Sequence, residues 1–183
     1  MLVNASFFTG DITIANTDDN RVIERLSYFI EQEEEKCLSA ILGYRLYKLL
    51  SSETSTRIQE LIDGADYTDY YGNLQRWKGI VHGTVANQSL VADYIYTIYQ
   101  ADAATQTTGV STATSLTDGG LSVSPADKIL NAWNKFSNET HSLISFLWNK
   151  NNKPSVTPVY PEWTVYQRGC AEKFSRKNNY LGI

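Results

Sequence analysis

Residues 104–124 read Ala104-Thr-Gln-Thr-Thr-Gly109-Val-Ser-Thr-Ala-Thr-Ser-Leu116-Thr-Asp118-Gly119-Gly-Leu121-Ser-Val123-Ser124. Most of these side chains are Ser, Thr or Gly, and the only charge is Asp118. Two strongly helical segments flank the stretch, so it is an insertion within a folded domain. Long loops inside compact domains are uncommon, and those that occur are mostly functional or disordered. Disordered segments are usually rich in charge or Pro, and this one is neither. Its second half sets an Asp118-Gly119 turn signal between roughly alternating β-formers, which predicts a hairpin. An isolated two-stranded hairpin is marginal in water, so this one calls for a partner.

Working outward, the segments on either side predict a mainly α fold: a small bundle of four to five helices with this inserted loop or β-hairpin and extended arms at both ends. Ahead of it, Asn87 opens a helix carrying Leu90, Val91, Tyr94, Ile95, Ile98 and Tyr99 on its apolar side. Behind it, Ser124-Pro125-Ala-Asp127 places Ser at the N-cap, Pro at the first helical position and Asp near the helix start. The helix that follows carries Ile129, Leu130, Trp133, Phe136, Leu143, Ile144 and Leu147.

Further upstream, Asp18 or Asp19 caps a long helix whose apolar positions include Val22, Leu26, Phe29, Ile30, Cys37, Ile41 and Leu42. Gly43 is placed to end it, and a second helix, Tyr44 to Leu50, follows directly. Thr54 or Ser55 begins a short third helix that stops at Asp63-Gly64. Residues 65–84 read as a loop with short strands or a small hairpin. Residues 1–17 read as an extended arm with one strand around Ile12 to Ile14. Residues 149–183, with three Pro and a basic, Asn-rich end, read as an extended C-terminal segment.

At 183 residues the chain fits a single domain, long enough to bury about 70% of its unfolded surface. Twelve Tyr and four Trp supply contact area with a polar handle, a composition found both in cores and at interfaces. The net charge of −4 conceals an asymmetry: acids predominate in residues 1–103 and bases in 104–183. These halves either face each other between neighbouring copies or meet within one molecule. Cys37 and Cys170 do not make a disulfide framework. No signal peptide or membrane-length apolar run is visible, so the sequons at Asn4, Asn87 and Asn138 read as chance matches and the expected environment is a reducing cytosol.

Little in the chain points to catalysis. His82 and His141 lack short-spaced ligand partners, so no metal site is expected, and His141 reads as a structural histidine. Asp63, Asp66 and Asp69 lack the alternate spacing and closing Glu of a calcium loop and read as turn residues. Gly79-Ile-Val-His-Gly83 fits neither a P-loop nor a dinucleotide fingerprint, and no cofactor is expected. An enzyme would require Asp63, Asp66 and Asp93 to converge in a pocket. The basic end, with Arg168, Lys173, Arg176 and Lys177, reads as a solvated or protein-docking tail in preference to a nucleic-acid site.

With these residues laid out, the segment Glu33 to Lys48 resembles the opening helix pair of phage and prophage head–tail connector (adaptor, or neck ring) proteins, especially those of phages infecting Bacteroidetes. The resemblance continues through Trp77 to Gly79, the Tyr-rich Ala92 to Tyr99, Thr105 to Gly109, Val123 to Asn134 and the closing Asn179 to Ile183, in that order. It implies a virion structural protein without enzymatic activity, assembled in the host cytoplasm. Such a protein forms a ring, commonly of twelve copies, between the portal protein and tail or neck proteins, with double-stranded DNA passing through it and no membrane involved.

On that reading Thr105, Gln106, Thr107, Thr108, Gly109, Val110, Leu116, Leu121, Val123, Phe174 and Tyr180 are candidates for the subunit or portal interface. Glu31, Glu33, Glu34 and Glu35 are candidates to face the channel, or else form a solvated helix face. The alternative is a small cytosolic helical binding module or a prophage-encoded regulator.

Overall fold

The computed structural model describes residues 1–16, 19–83, 87–107, 112–114, 125–152, 157–163, 174, 175 and 177. Among these the chain is mainly helical, as its periodicity predicts: α1 (Asn20–Leu42), α2 (Tyr44–Ser52), α3 (Thr56–Asp63), α4 (Leu90–Ala104) and α5 (Pro125–Asn151). Three small antiparallel pairs interrupt them: β1 (Ala65–Thr68) with β2 (Leu74–Trp77), β3 (Val81–His82) with β4 (Gln88–Ser89), and β5 (Thr105–Thr107) with β6 (Thr112–Thr114).

Each helix boundary has a local cause. Asp19 caps α1 by accepting from the Arg21 N–H at 2.9 Å. Gly43, at φ +78°, turns the chain from α1 into α2, a conformation that side-chain-bearing residues rarely adopt. Ser89, not Asn87, opens α4: its hydroxyl accepts from the Val91 N–H at 3.2 Å, while Asn87 reaches back to the Ser6 hydroxyl.

α4 is the central helix. Leu90, Val91, Ala92, Asp93, Ile95, Tyr96, Thr97 and Tyr99 are all buried, a wider buried surface than the one-sided stripe expected. It packs against α1 and α5, so a helix apolar nearly all round is the one enclosed by others.

Both predicted arms need correction. Residues 1–16 contain no strand; they form two 3₁₀ turns, Ala5–Phe7 and Gly10–Ile12, and bury Val3, Phe7, Phe8, Ile12 and Ile14 in the core. Alternation of apolar residues suggested a strand, but tight turns bring these side chains inward just as well. At the other end, α5 runs through Asn151, so residues 149–151 are helical. Residues 157–163 then fold back onto the helices: the Trp163 indole donates to the Ile41 carbonyl at 3.1 Å and the Tyr160 hydroxyl to the Arg57 carbonyl at 2.7 Å. Arg57 bridges Glu53 and Glu162, which holds both carboxyls below the usual range through direct hydrogen bonds.

The β1–β2 hairpin is locked to the end of α3. Trp77 is fully buried, stacks on Phe146 of α5 and donates its indole N–H to the Leu61 carbonyl at 3.0 Å. Gly64 and Gly79 both have positive φ, and a Cβ on either would lie 2.4–2.7 Å from the backbone around the other. The Trp77-Lys78-Gly79 run thus has a packing reason: the chain leaving the hairpin crosses the helix end at backbone-to-backbone distance.

Candidate interaction site

The insertion after α4 contains a hairpin formed by its first half. Thr105 pairs with Thr114, Gln106 with Ala113 and Thr107 with Thr112. The Asp118-Gly119 signal lies outside the described residues. β5 continues directly from α4, and among the described residues the sheet it forms has two strands. Among the described residues each of its strands therefore has one unpaired edge, the arrangement that accepts another strand by backbone hydrogen bonding. Of the other candidate interface residues, Thr108, Gly109, Val110, Leu116, Leu121, Val123 and Tyr180 lie outside the described residues.

Phe174 has a different role from the one expected. It is buried in an aromatic cluster of its own chain with Tyr94, Trp133 and Phe136, at centroid distances of 5.1–6.4 Å. Around it the Trp133 indole donates to the Ser175 carbonyl, and the Asn134 amide exchanges two hydrogen bonds with the backbone of Lys177. Phe174 is core, not interface.

The four glutamates of α1 separate by environment. Glu31 and Glu35 are exposed, and Glu35 lies 3.9 Å from Lys48. Glu33 is half-buried, pairs with Lys36 and accepts from the Tyr94 hydroxyl. Glu34 is buried and is neither channel-facing nor solvated: its carboxylate accepts the Leu2 N–H at 3.0 and 2.9 Å and the Val3 N–H at 3.0 Å. A signal for this was present, since Glu34 lies four residues after Ile30 and four before Leu38, inside the buried stripe.

A polar group between α4, α5 and β3 escaped the sequence reading. Asp93 is fully buried; Lys135 donates to its Oδ1 at 3.2 Å and places its charge 3.0 Å from Oδ2, which receives no aligned hydrogen bond. One helical turn on, Glu139 meets His82 Nε2 at 3.4 Å, both side chains nearly buried. His82 Nδ1 donates to the Gly79 carbonyl, so Nε2 attracts the carboxylate only when a proton sits between them. Burial raises the Asp93 carboxyl to about 6, with Glu139 adding to the rise and Lys135 and His82 opposing it. The sequence signal was a lone carboxylate in a helix otherwise apolar all round.

Asp63 and Asp66 do not join Asp93: both are exposed, and Asp66 pairs with Arg76. Asp69 is a turn residue, as read. His141 is exposed, its Nδ1 donating to the Ser137 carbonyl at 2.7 Å. Among the described residues no group of three or more His, Cys, Asp or Glu is placed to hold a metal ion. No described helix is long and apolar enough to cross a membrane. Burial pushes the Cys37 thiol well above its ordinary value, so it is unreactive.

Two adjoining clefts run between the Gly10–Ile12 turn and α5, with volumes of about 300 and 400 Å³. They share Gly10, Asp11, Ile12 and Lys135, and the larger adds Lys128, Asn131 and Ala132. At the opposite end of α5 the β1–β2 turn exposes Tyr70, Tyr71 and Leu74.

No family model matches the chain, and no curated protein or solved structure matches it.

Proposed function

We propose that this chain is a virion structural protein, a head–tail adaptor that joins a ring between the portal and the tail or neck proteins and surrounds the DNA path. The observation that carries the reading is the β5–β6 hairpin. It leaves the central helix directly, has unpaired outer edges among the described residues, and belongs to a stretch almost without charge. A segment that becomes buried on assembly should hold few ions to desolvate, and strand addition between subunits satisfies the open edges. The order of motifs shared with phage connector proteins supports the same reading. The surface acids Glu31 and Glu35 suit a lumen along which DNA slides without adhering.

The test is deletion of residues 106–122 in the phage or prophage that encodes the chain. The protein is expected in purified wild-type virions. The deletion should leave the helical circular dichroism signal and melting temperature of the isolated protein unchanged while heads and tails fail to join. Absence of the protein from virions, or normal joining by the deletion variant, overturns the proposal.

A further inference from the structure

We infer that the groove formed by Tyr94, Trp133, Asn134 and Phe136 is a binding site for chain segments of the pattern aromatic-x-x-lysine. It exchanges its own residues 174–177 for those of a second copy, whatever larger assembly the chain joins.

The groove is built by the helices. Phe136 is fully buried, and Trp133 and Tyr94 pack on it at centroid distances of 5.5 and 5.1 Å. Glu33 reaches from α1 to accept the Tyr94 hydroxyl at 3.3 Å. α1, α4 and α5 thus fix these walls.

The occupant is held as a bound peptide is held. Phe174 is a buried anchor, while Ser175 and Lys177 are exposed. The polar contacts run from α5 side chains to the backbone of the segment. The Trp133 indole donates to the Ser175 carbonyl at 2.9 Å. The Asn134 amide donates to the Lys177 carbonyl at 3.1 Å and accepts the Lys177 N–H at 2.9 Å. Both backbone groups of Lys177 are thereby satisfied, as a neighbouring strand would satisfy them. In this mode of recognition backbone bonds supply affinity and side-chain pockets supply specificity. Here the pockets are the aromatic cluster around Phe174 and the face of Trp133, where the Lys177 ammonium lies 4.4 Å from the ring centroid.

Every one of these contacts is made by residues that a second copy also carries. Exchange breaks and remakes identical contacts, which is a low-cost route to association between copies. Among the described residues the segment buries a single side chain, so local concentration decides which copy supplies the occupant. In either arrangement a Phe174 fills the cluster, and only the molecule it belongs to differs.

The experiment pairs two full-length variants, each lacking one half of the contact. Phe174→Ala keeps the groove and loses the anchor; Trp133→Ala keeps the anchor and loses the groove. Mixed, they are expected to form a heterodimer in analytical ultracentrifugation, and neither variant should associate alone. Adding Asn134→Ala to the groove-bearing chain should weaken the heterodimer at least about tenfold. No heterodimer between folded variants up to millimolar concentration overturns the inference, as does one indifferent to Asn134→Ala. A second arm leaves every native side chain in place: a protease site is inserted between Gly169 and Cys170, and the folded chain is cut. Residues 170–183 should leave on dilution and rebind saturably as a labelled synthetic peptide. A cut segment that never dissociates, or a vacated groove that ignores the peptide, overturns the inference whether or not the substituted variants fold.

Discussion

The chain contains two hairpins of similar size and opposite construction. β1–β2 is rooted in the core by Trp77 and by the two glycine backbones that cross at its base, and it ends in exposed aromatics. β5–β6 is a polar, uncharged pair that continues from the end of α4. In the first hairpin, shape is decided within the monomer. In the second, each strand has one unpaired edge among the described residues. The first hairpin owes its rigidity to what its base packs on, since two short strands alone supply little.

Substitutions test that contrast most sharply at the crossing. Gly79→Ala sets a methyl 2.5 Å from the backbone of Ile62 and Asp63, at φ +104°; a loss of roughly 4 kcal/mol is expected, read by urea denaturation. Trp77→Ala empties a fully buried site and should cost about 3–5 kcal/mol, with cooperative unfolding retained.

Between the hairpins, Asp93→Asn addresses the polar link from α4 to α5. The folded carboxyl titrates near 6 against an ordinary 3.8. Its stabilising contribution is therefore present below pH 4 and lost as pH rises through 6. Relative to the Asn variant, wild type should lose about 2–3 kcal/mol between pH 4 and pH 7.5; a constant difference across that range would refute the assignment. Smallest of all, Gln106→Pro in β5 should change monomer stability by no more than about 0.5 kcal/mol while blocking strand addition. A large fall in melting temperature would show that the second hairpin is rooted after all.

The helices were legible because the signals were local. Asp19, Gly43 and Gly64 mark ends through their own hydrogen bonds and dihedrals, and the apolar spacing of α1 and α5 needs no tertiary information. The misreadings share a different cause. The 1–16 segment, Phe174 and Glu34 owe their positions to groups far along the chain: Glu34 to the amides of Leu2 and Val3, Phe174 to Tyr94 and Trp133. The Asp93 group draws on residues 82, 93, 135 and 139, which only the packing of three elements brings together. Asn87 misled because Asn and Ser are both good caps two residues apart, and the β3–β4 bridge, joining His82 to Gln88, settled the choice for Ser89.

The seating of residues 1–16 has a consequence for how the chain is made. Val3 is held by Glu34, and the Gly10–Ile12 turn rests on α5. On the ribosome the Gly10–Ile12 turn precedes its α5 partner by more than a hundred residues, so Ile12 stays incompletely covered until α5 has emerged. A segment synthesised before α5 thus completes its packing only after α5, and slowed translation between α4 and α5 should prolong the interval in which chaperones bind it.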